Sequence, residues 1–599
     1  MTNLEGQVMA REYLVGDFVA SETRFDGTTV QCGYDADGNL ASISYPGETL
    51  SFSYDGDGLM LSASNSVGVV SNEYDAATGW LMASHGADGT EVAYSRRNGG
   101  GVASFSSVAG TTSYSFDVAG RKTHVASPSG SFALGYCGWN GKLSAVTIAS
   151  GFVVEYEYDV MDRVTNISWK TTSGATLGGF AYEYDAVGRI VSRSHAMGSN
   201  AFDRVYSYDD LDRLASDDGV TYTYDAAGNR MKRAENGATV TYALGVGDRL
   251  ASWTGGSYTY AFAGNVTRIE RDGRPTLELA WNSQYQLVSV ATNGVFAESY
   301  AYDALGRRVS TTTLEETTRH VYDDGWQVIA DLDANGNVVA SYVWGDGIDR
   351  LLAVKVGGAS YYPLTDIQGT VWGYVDSQNN VVARWQYDAW GNVVDEFVSV
   401  LELASLRYRF QCREWSAATG LVNFRMRWYD AETGRWLSKD PIGLNGGLNL
   451  YAFCKCNPVV FCDSNGTAYQ VVGVLLLGAG TGALVAVLLG GDEVAILSSA
   501  FGGGVGALVG MATRNVVVAG TTATLISSSL IEYSKGECGS FRRVVTQTIT
   551  AATLSYYGAS FINSYGEAWL FGAFSGSVPA IINRISDLLE SAWNSVFGE

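Results

Sequence analysis

An aromatic–Asp pair recurs along most of this 599-residue chain, and that repetition limits the possible folds more than any other feature. It stands at Tyr34-Asp35, Tyr54-Asp55, Tyr74-Asp75, Phe116-Asp117, Tyr158-Asp159, Tyr184-Asp185, Tyr208-Asp209, Tyr224-Asp225, Tyr302-Asp303 and Tyr322-Asp323, then at Tyr387-Asp388 and Tyr429-Asp430. Degenerate copies at Tyr94, Tyr136, Tyr242, Tyr260 and Trp281 fill the gaps. From Tyr34 to Tyr322 the steps run from 16 to 26 residues, most of them 20 to 22. Each unit continues as aromatic-Asp-x-x-Gly-Arg/Asn-aliphatic, as in Tyr184-Asp185-Ala186-Val187-Gly188-Arg189-Ile190. Such a unit reads as a turn: Asp accepts backbone N–H groups and Gly supplies a positive φ. Flanking stretches such as Phe152-Val153-Val154-Glu155-Tyr156-Glu157-Tyr158 alternate with a period of two and predict strands. One hairpin is barely stable alone, but hairpins stacked side by side make a long antiparallel sheet. Strand twist makes a sheet of that length curl or close. Use of 72 Gly and 36 Tyr against only 7 Pro fits a mainly β chain built on glycine turns. The repeated Asp and Arg are then turn caps and ladder charges rather than many active sites.

Charge and chemistry-bearing residues exclude several functions. The net charge is −23 and there is no Lys/Arg-rich run, which argues against nucleic acid as a partner. The seven Cys (32, 137, 412, 454, 456, 462 and 538) are too sparse for a disulfide framework, and the 454/456/462 spacing is not that of a zinc finger. The four His, at 85, 124, 195 and 320, are scattered across the repeats. No metal and no cofactor are expected. The stretch from Met1 to Arg11 lacks the apolar run of a Sec signal peptide, so export or surface display is expected to use another route.

These units resemble the YD (Tyr-Asp) repeats of the rearrangement-hotspot (RHS) family, also found in teneurins and in insecticidal toxin complexes. The resemblance covers about residues 30 to 466. It implies a spiralling antiparallel sheet that forms a shell, whole or partial. The expected organisation is a lead-in over 1–30, repeats over 31–400, a distinct segment over 401–466 and a different C-terminal region over 467–599.

The 401–466 segment carries Arg407-Tyr408-Arg409-Phe410, Arg425-Met426-Arg427-Trp428-Tyr429-Asp430, Thr433-Gly434-Arg435-Trp436 and Asp440-Pro441-Ile442-Gly443, and it ends in Asp463-Ser464-Asn465-Gly466. This ordered set resembles the RHS repeat-associated core. In relatives the segment plugs the shell and acts as an intramolecular aspartic protease, with two Asp in a paired D-P-x-G motif. The resemblance implies Asp440 and Asp463 as the carboxylates and a cut at or just after Gly466-Thr467; Arg435 is read as a group that tunes the pair or positions the backbone. The second motif has Ser464 where the family has Pro. Two carboxylates held together cannot both ionise easily, so one keeps a proton for acid catalysis while the other acts as base. Any enzyme activity is therefore a single self-cleavage. The alternative is that both Asp only cap turns.

Beyond Gly466 the repeats stop. Residues 471–490 carry no charge, nor do 494–513, and small residues recur at Gly478, Gly482, Ala486 and Gly490, then at Gly502, Gly506 and Gly510. On helices these positions make smooth faces, as in a glycine zipper. The expectation is a small, α-helical, hydrophobic domain that either inserts into membranes or is stored as tightly packed helices. The position of this region implies a variable toxin domain.

Three functional readings stay open on the sequence. The first is an RHS-type polymorphic toxin, exported or at the cell surface, whose shell holds its own C-terminal domain as cargo. Its partners would be an immunity protein and a target membrane. The second is an adhesive surface protein with a C-terminal membrane anchor. The third is an incomplete shell that needs a second subunit.

Overall fold

The computed structural model describes residues 8–15, 18–138, 141–198, 200–347, 349–404, 406–467 and 470–471. The candidate glycine zipper lies outside them. Residues 10–22 and 36–38 fall into a second unit, which holds strand Ala10–Tyr13 and all but the last residue of its partner strand Val19–Thr23. All that follows concerns the main unit.

Each repeat turn is closed by its own Asp. Asp185 N–H donates to the carbonyl of Arg189 at 2.9 Å, and Gly188 N–H donates back to the Asp185 carbonyl at 3.1 Å. Asp185 Oδ1 accepts the N–H of Val187 at 3.1 Å and of Arg189 at 2.8 Å, while Oδ2 accepts Arg189 Nε at 2.6 Å. Gly188 sits at φ +89°, a conformation that favours glycine. The aromatic residue before the Asp stands at a β-bulge, as at Tyr158, Tyr184 and Tyr208, which releases the strand into the turn. Successive units are also stitched together. The Tyr184 hydroxyl donates to the Val164 carbonyl at 2.6 Å, and the Arg163 guanidinium lies 4.6 Å above the Tyr184 ring. The same pair of contacts joins Tyr136 to Lys122 and Arg121, and Tyr302 repeats the hydroxyl contact to Leu287. The recurring Asp and Arg are therefore structural.

From Thr29–Tyr34 to Val393–Val398 every strand pairs antiparallel with the next. Contacts between distant strands show how this sheet winds. Arg24 Nη1 donates to the Ser283 carbonyl, 259 residues away. Asn65 Nδ2 reaches the Tyr302 carbonyl over 237 residues, and Arg319 meets Asp88 over 231. Ser129 meets Ser341 over 212, Ile367 N–H reaches the Tyr182 hydroxyl over 185, and Ala389 N–H reaches Asp217 over 172. Each later contact closes a shorter loop, so the sheet is a spiral that tightens. The inner winding is accordingly covered on both faces. All five residues of Val328–Leu332 and all five of Val371–Val375 are buried, whereas Ile190–Met197 alternates buried with half-buried positions. Between windings, Trp372 packs on Phe180, His195 and Tyr387 at ring-centroid distances of 5.3, 4.9 and 5.3 Å. Burial beside Arg193 pushes His195 down to about 3, so it is a neutral packing residue.

The segment after Val398 builds a small four-stranded sheet from Glu414–Trp415, Val422–Asn423, Trp428–Asp430 and Arg435–Trp436. Phe424, Tyr429, Trp436 and Phe453 form its aromatic centre, with Tyr429 and Phe453 rings 4.1 Å apart. It docks on turns of the repeats. Asp430 pairs with Arg271 at 2.6 Å, Asn457 Nδ2 donates to the Asp212 carbonyl at 2.7 Å, and the Tyr451 hydroxyl donates to the Gly264 carbonyl at 2.7 Å. Among the described residues no helix is long and apolar enough to cross a membrane.

Candidate functional site

The two Asp singled out by the paired motif meet at one buried arginine. Arg427 Nη1 lies 2.9 Å from Asp440 Oδ2, and its Nη2 lies 3.3 Å from Asp463 Oδ2. The Arg427 Nε donates to the carbonyl oxygen of Gly466. Its guanidinium also stacks 4.1 Å from the centre of the Trp436 ring, so the cation is fixed on a rigid aromatic floor. All three charged side chains are at least nine-tenths buried.

The loop holding Asp463 is folded around its own carboxylate. Asp463 Oδ1 accepts the N–H groups of Asn465 at 3.2 Å, Gly466 at 2.7 Å and Thr467 at 3.1 Å. This is the repeat-turn device again, with Asp capping the following residues. Here the third donor is the amide nitrogen of the Gly466–Thr467 bond. That bond therefore has its N–H on Asp463 and its carbonyl on Arg427. Gly466 lies at φ +71°, and a Cβ there would meet the Phe424 carbonyl at 2.7 Å, so only glycine fits.

Asp440 caps its own turn through the Ile442 N–H at 3.0 Å. A side chain on Gly446 would collide with Asp440 Oδ2 and approach the Thr467 carbonyl, so these groups face one another across that glycine. Burial pushes the Asp440 carboxyl up to about 6; Arg427 opposes this, and the Asp463 charge adds to it. Three N–H donors converge on one oxygen of Asp463.

The sequence reading gave Arg435 either the tuning of the pair or the positioning of the backbone, and the structure places its guanidinium away from both carboxylates. Arg435 Nη1 donates to Asn229 Oδ1 at 2.8 Å and its Nη2 to the Asp248 carbonyl, so it ties the segment to two repeat turns. Arg427 takes the place beside the carboxylates. The available signal was the Arg425-x-Arg427 pair, since both side chains reach the 463–466 loop. Arg425 Nη1 donates to the Ser464 carbonyl at 2.8 Å and to Asn465 Oδ1 at 2.9 Å. Arg413 Nη1 donates to the same Ser464 carbonyl at 2.8 Å.

Two other groups of candidates take no part in the site. Cys412, Cys454, Cys456 and Cys462 are buried free thiols, with Cys462 pushed up to about 12 by burial. His320, hydrogen-bonded to Asp331 at 2.8 Å, is pushed down to about 4 by burial and Arg407. Among the described residues no group of His, Cys, Asp or Glu is placed to hold a metal ion.

Comparisons with known proteins agree with this architecture. A sequence model described as teneurin YD-shell matches residues 140–459, and one described as RHS repeat matches residues 34–70. The chain is 28% identical over 372 residues to the tRNA3(Ser)-specific nuclease WapA of Bacillus spizizenii, covering 60% of this chain and 16% of that protein. It is 23% identical over 402 residues to toxin subunit YenC1 of Yersinia entomophaga, covering 53% of this chain and 40% of the other. It is 26% identical over 369 residues to toxin protein Tse5 of Pseudomonas aeruginosa, covering 53% and 26%. The chain thus spans less than half the length of each. In fold it is similar to the crystal structure of TcdB2-TccC3-Cdc42, with a TM-score of 0.64 at 18% identity over 75% of this chain and 27% of that one. Tyr-Asp turns, a tightening antiparallel spiral, a docked terminal segment and a matching region that spans more than half of the sequence lead to one assignment: the chain belongs to the teneurin YD-shell family.

Proposed function

We propose that this chain is a toxin-type YD-shell protein that cuts itself once, between Gly466 and Thr467, and so separates the shell from its C-terminal region. One observation carries the reading: a single peptide bond has its carbonyl on Arg427 and its N–H on Asp463, with Asp440 across the same guanidinium. Support for the toxin role comes from the relatives named as toxins, YenC1 and Tse5. On this reading the residues after 466 are cargo, released outside the producing cell, and an immunity protein would protect the producer. A second shell subunit is a further proposed partner, suggested by the structural neighbour's pairing of TcdB2 with TccC3.

The chemistry is hydrolysis by a carboxylate pair. Asp463 Oδ2 takes a proton from a water that attacks the Gly466 carbonyl carbon. Arg427 already donates to that carbonyl oxygen and meets the negative charge as it forms. Asp440 gives its proton to the Thr467 nitrogen, which leaves as the new amine. The pair's proton has then moved from Asp440 to Asp463, and the C–N bond is replaced by a carboxylic acid on Gly466, which passes its proton to the new Thr467 amine. Because the substrate is tethered, no binding step is needed and slow chemistry suffices.

The test is the intact mass of the full chain, alongside an Asp440→Asn/Asp463→Asn variant. The expected result is fragments 1–466 and 467–599 from the wild type and an uncut double variant. A wild type that stays whole, or a double variant cut at the same bond, would sink the reading. A pH profile follows from Asp440. As the acid it must be protonated, and its protonated fraction falls above about 6. Cleavage should therefore slow about tenfold for each pH unit above that value. A rate that rises with pH through that range would exclude Asp440 as the proton donor.

A further inference from the structure

Ser464 directly follows Asp463, and its carbonyl is gripped by two guanidinium groups. Arg413 Nη1 and Arg425 Nη1 each donate to it at 2.8 Å. Two like charges converging on one oxygen repel each other, and in a buried setting that repulsion is weakly screened. The compensating charge is not in this segment. It is Asp349, which stands just before strand Leu351–Val356 of the spiral sheet. Asp349 Oδ1 lies 2.8 Å from Arg425 Nη2, and its Oδ2 pairs with Arg413 Nη2. Asp349, Arg413 and Ser464 are all nearly fully buried. The clamp continues on both sides: Arg425 also holds Asn465 Oδ1 at 2.9 Å, and Gln411 Oε1 accepts the Asp463 N–H at 3.2 Å.

We infer that Asp349 is a positioning residue for the cleavage: by holding Arg413 and Arg425 together on the Ser464 carbonyl, the spiral sheet itself sets Asp463 and the Gly466–Thr467 bond in place. The inference rests on the self-cleavage reading above. Its consequence is a built-in order of events. The 463–466 loop acquires its reactive shape only once strand Leu351–Val356 has packed against the terminal segment, so an unwound chain does not cut. Asp349 touches neither the scissile bond nor either catalytic carboxylate, and it acts entirely through the two arginines. A displacement of the loop by even an ångström is enough to lose reactive geometry.

Cleavage can be timed during cell-free synthesis of the full chain, comparing wild type with Asp349→Ala, Asp349→Asn and Arg425→Gln. The three variants are expected to cut at least about tenfold more slowly, with the spiral still resistant to added protease. Asp349 also lines a small cavity with Arg413, Arg425, Asn423 and Glu414, so truncation to Ala leaves room for a small carboxylate. Added sodium formate should therefore restore cleavage in Asp349→Ala, and leave both Arg425→Gln and Asp440→Asn/Asp463→Asn unchanged. A purely structural role for Asp349 would not produce that pattern of rescue. A wild type that never cuts would remove the cleavage reading and this inference with it. A wild type that cuts, beside an Asp349→Ala chain that cuts equally fast, would overturn the positioning role alone. Slow cutting that formate does not restore, together with loss of protease resistance, would also overturn it.

Discussion

Arg427→Gln is expected to leave the chain uncut, with a loss of at least about a hundredfold to a thousandfold in cleavage rate. Gln keeps some of the length and one donor, but it removes the charge. Three interactions disappear together: the contact to Asp440 at 2.9 Å, the contact to Asp463 at 3.3 Å, and the donation to the Gly466 carbonyl. The first two losses leave two buried carboxylates facing each other without a cation, which costs several kcal/mol when a buried pair is broken. The pair answers by binding protons more tightly, so the base is lost along with the electrophile. Arg427→Lys separates the two effects. A compact ammonium can reach one carboxylate but cannot span both and the carbonyl as a planar guanidinium does. Lys should therefore recover folding of the segment and little of the cleavage. The measurement is the cut fraction of full-length variants against time, by intact mass. An Arg427→Gln chain cut at the wild-type rate would remove Arg427 from the chemistry.

Gly466→Ala is expected to suppress cleavage by about a hundredfold while the spiral sheet stays folded. The reason is backbone, not charge. Gly466 lies at φ +71°, where an L-residue costs about 1–2 kcal/mol. The new methyl would also stand 2.7 Å from the Phe424 carbonyl and 3.0 Å from the Arg427 amide nitrogen. Both neighbours are backbone in the aromatic centre, so the 466–467 peptide must move instead. That movement pulls its carbonyl away from Arg427 Nε and its N–H away from Asp463. The same substitution at Gly443, which also has a positive φ but has nothing near its Cβ position, is the matched control. It should cost a similar amount of backbone strain and leave cleavage within a few-fold of wild type. Equal effects at both glycines would show that strain alone, rather than displacement of the bond, slows the reaction.

Much of this protein is written in short-range pattern. The Tyr-Asp-x-x-Gly-Arg turn is closed within five residues, and strand alternation repeats every two. Turn chemistry and side-chain facing are local properties, so the sheet was legible without any tertiary information. Asp440 and Asp463 were singled out by the resemblance of their paired motifs to the family's, and each caps the turn that follows it. Arg435 shows where the local argument stops. Several arginines lie within forty residues of the second Asp, and no periodicity says which one folds inward. The choice falls on Arg427 because Trp436 gives its guanidinium a floor, while Asn229 and the Asp248 carbonyl draw Arg435 to the repeats. Those partners lie roughly two hundred residues away along the chain.

By itself, then, the sequence determined a chain of glycine-turned hairpins with two Asp at its closing segment, because each of those features is held by neighbours within a few residues. Tertiary structure alone decided how tightly the sheet winds, which arginine joins the two carboxylates, and that Asp349 reaches the loop from an earlier strand. Each of these depends on contacts between residues from tens to hundreds of positions apart, where the spiral brings one winding against another or against the docked segment.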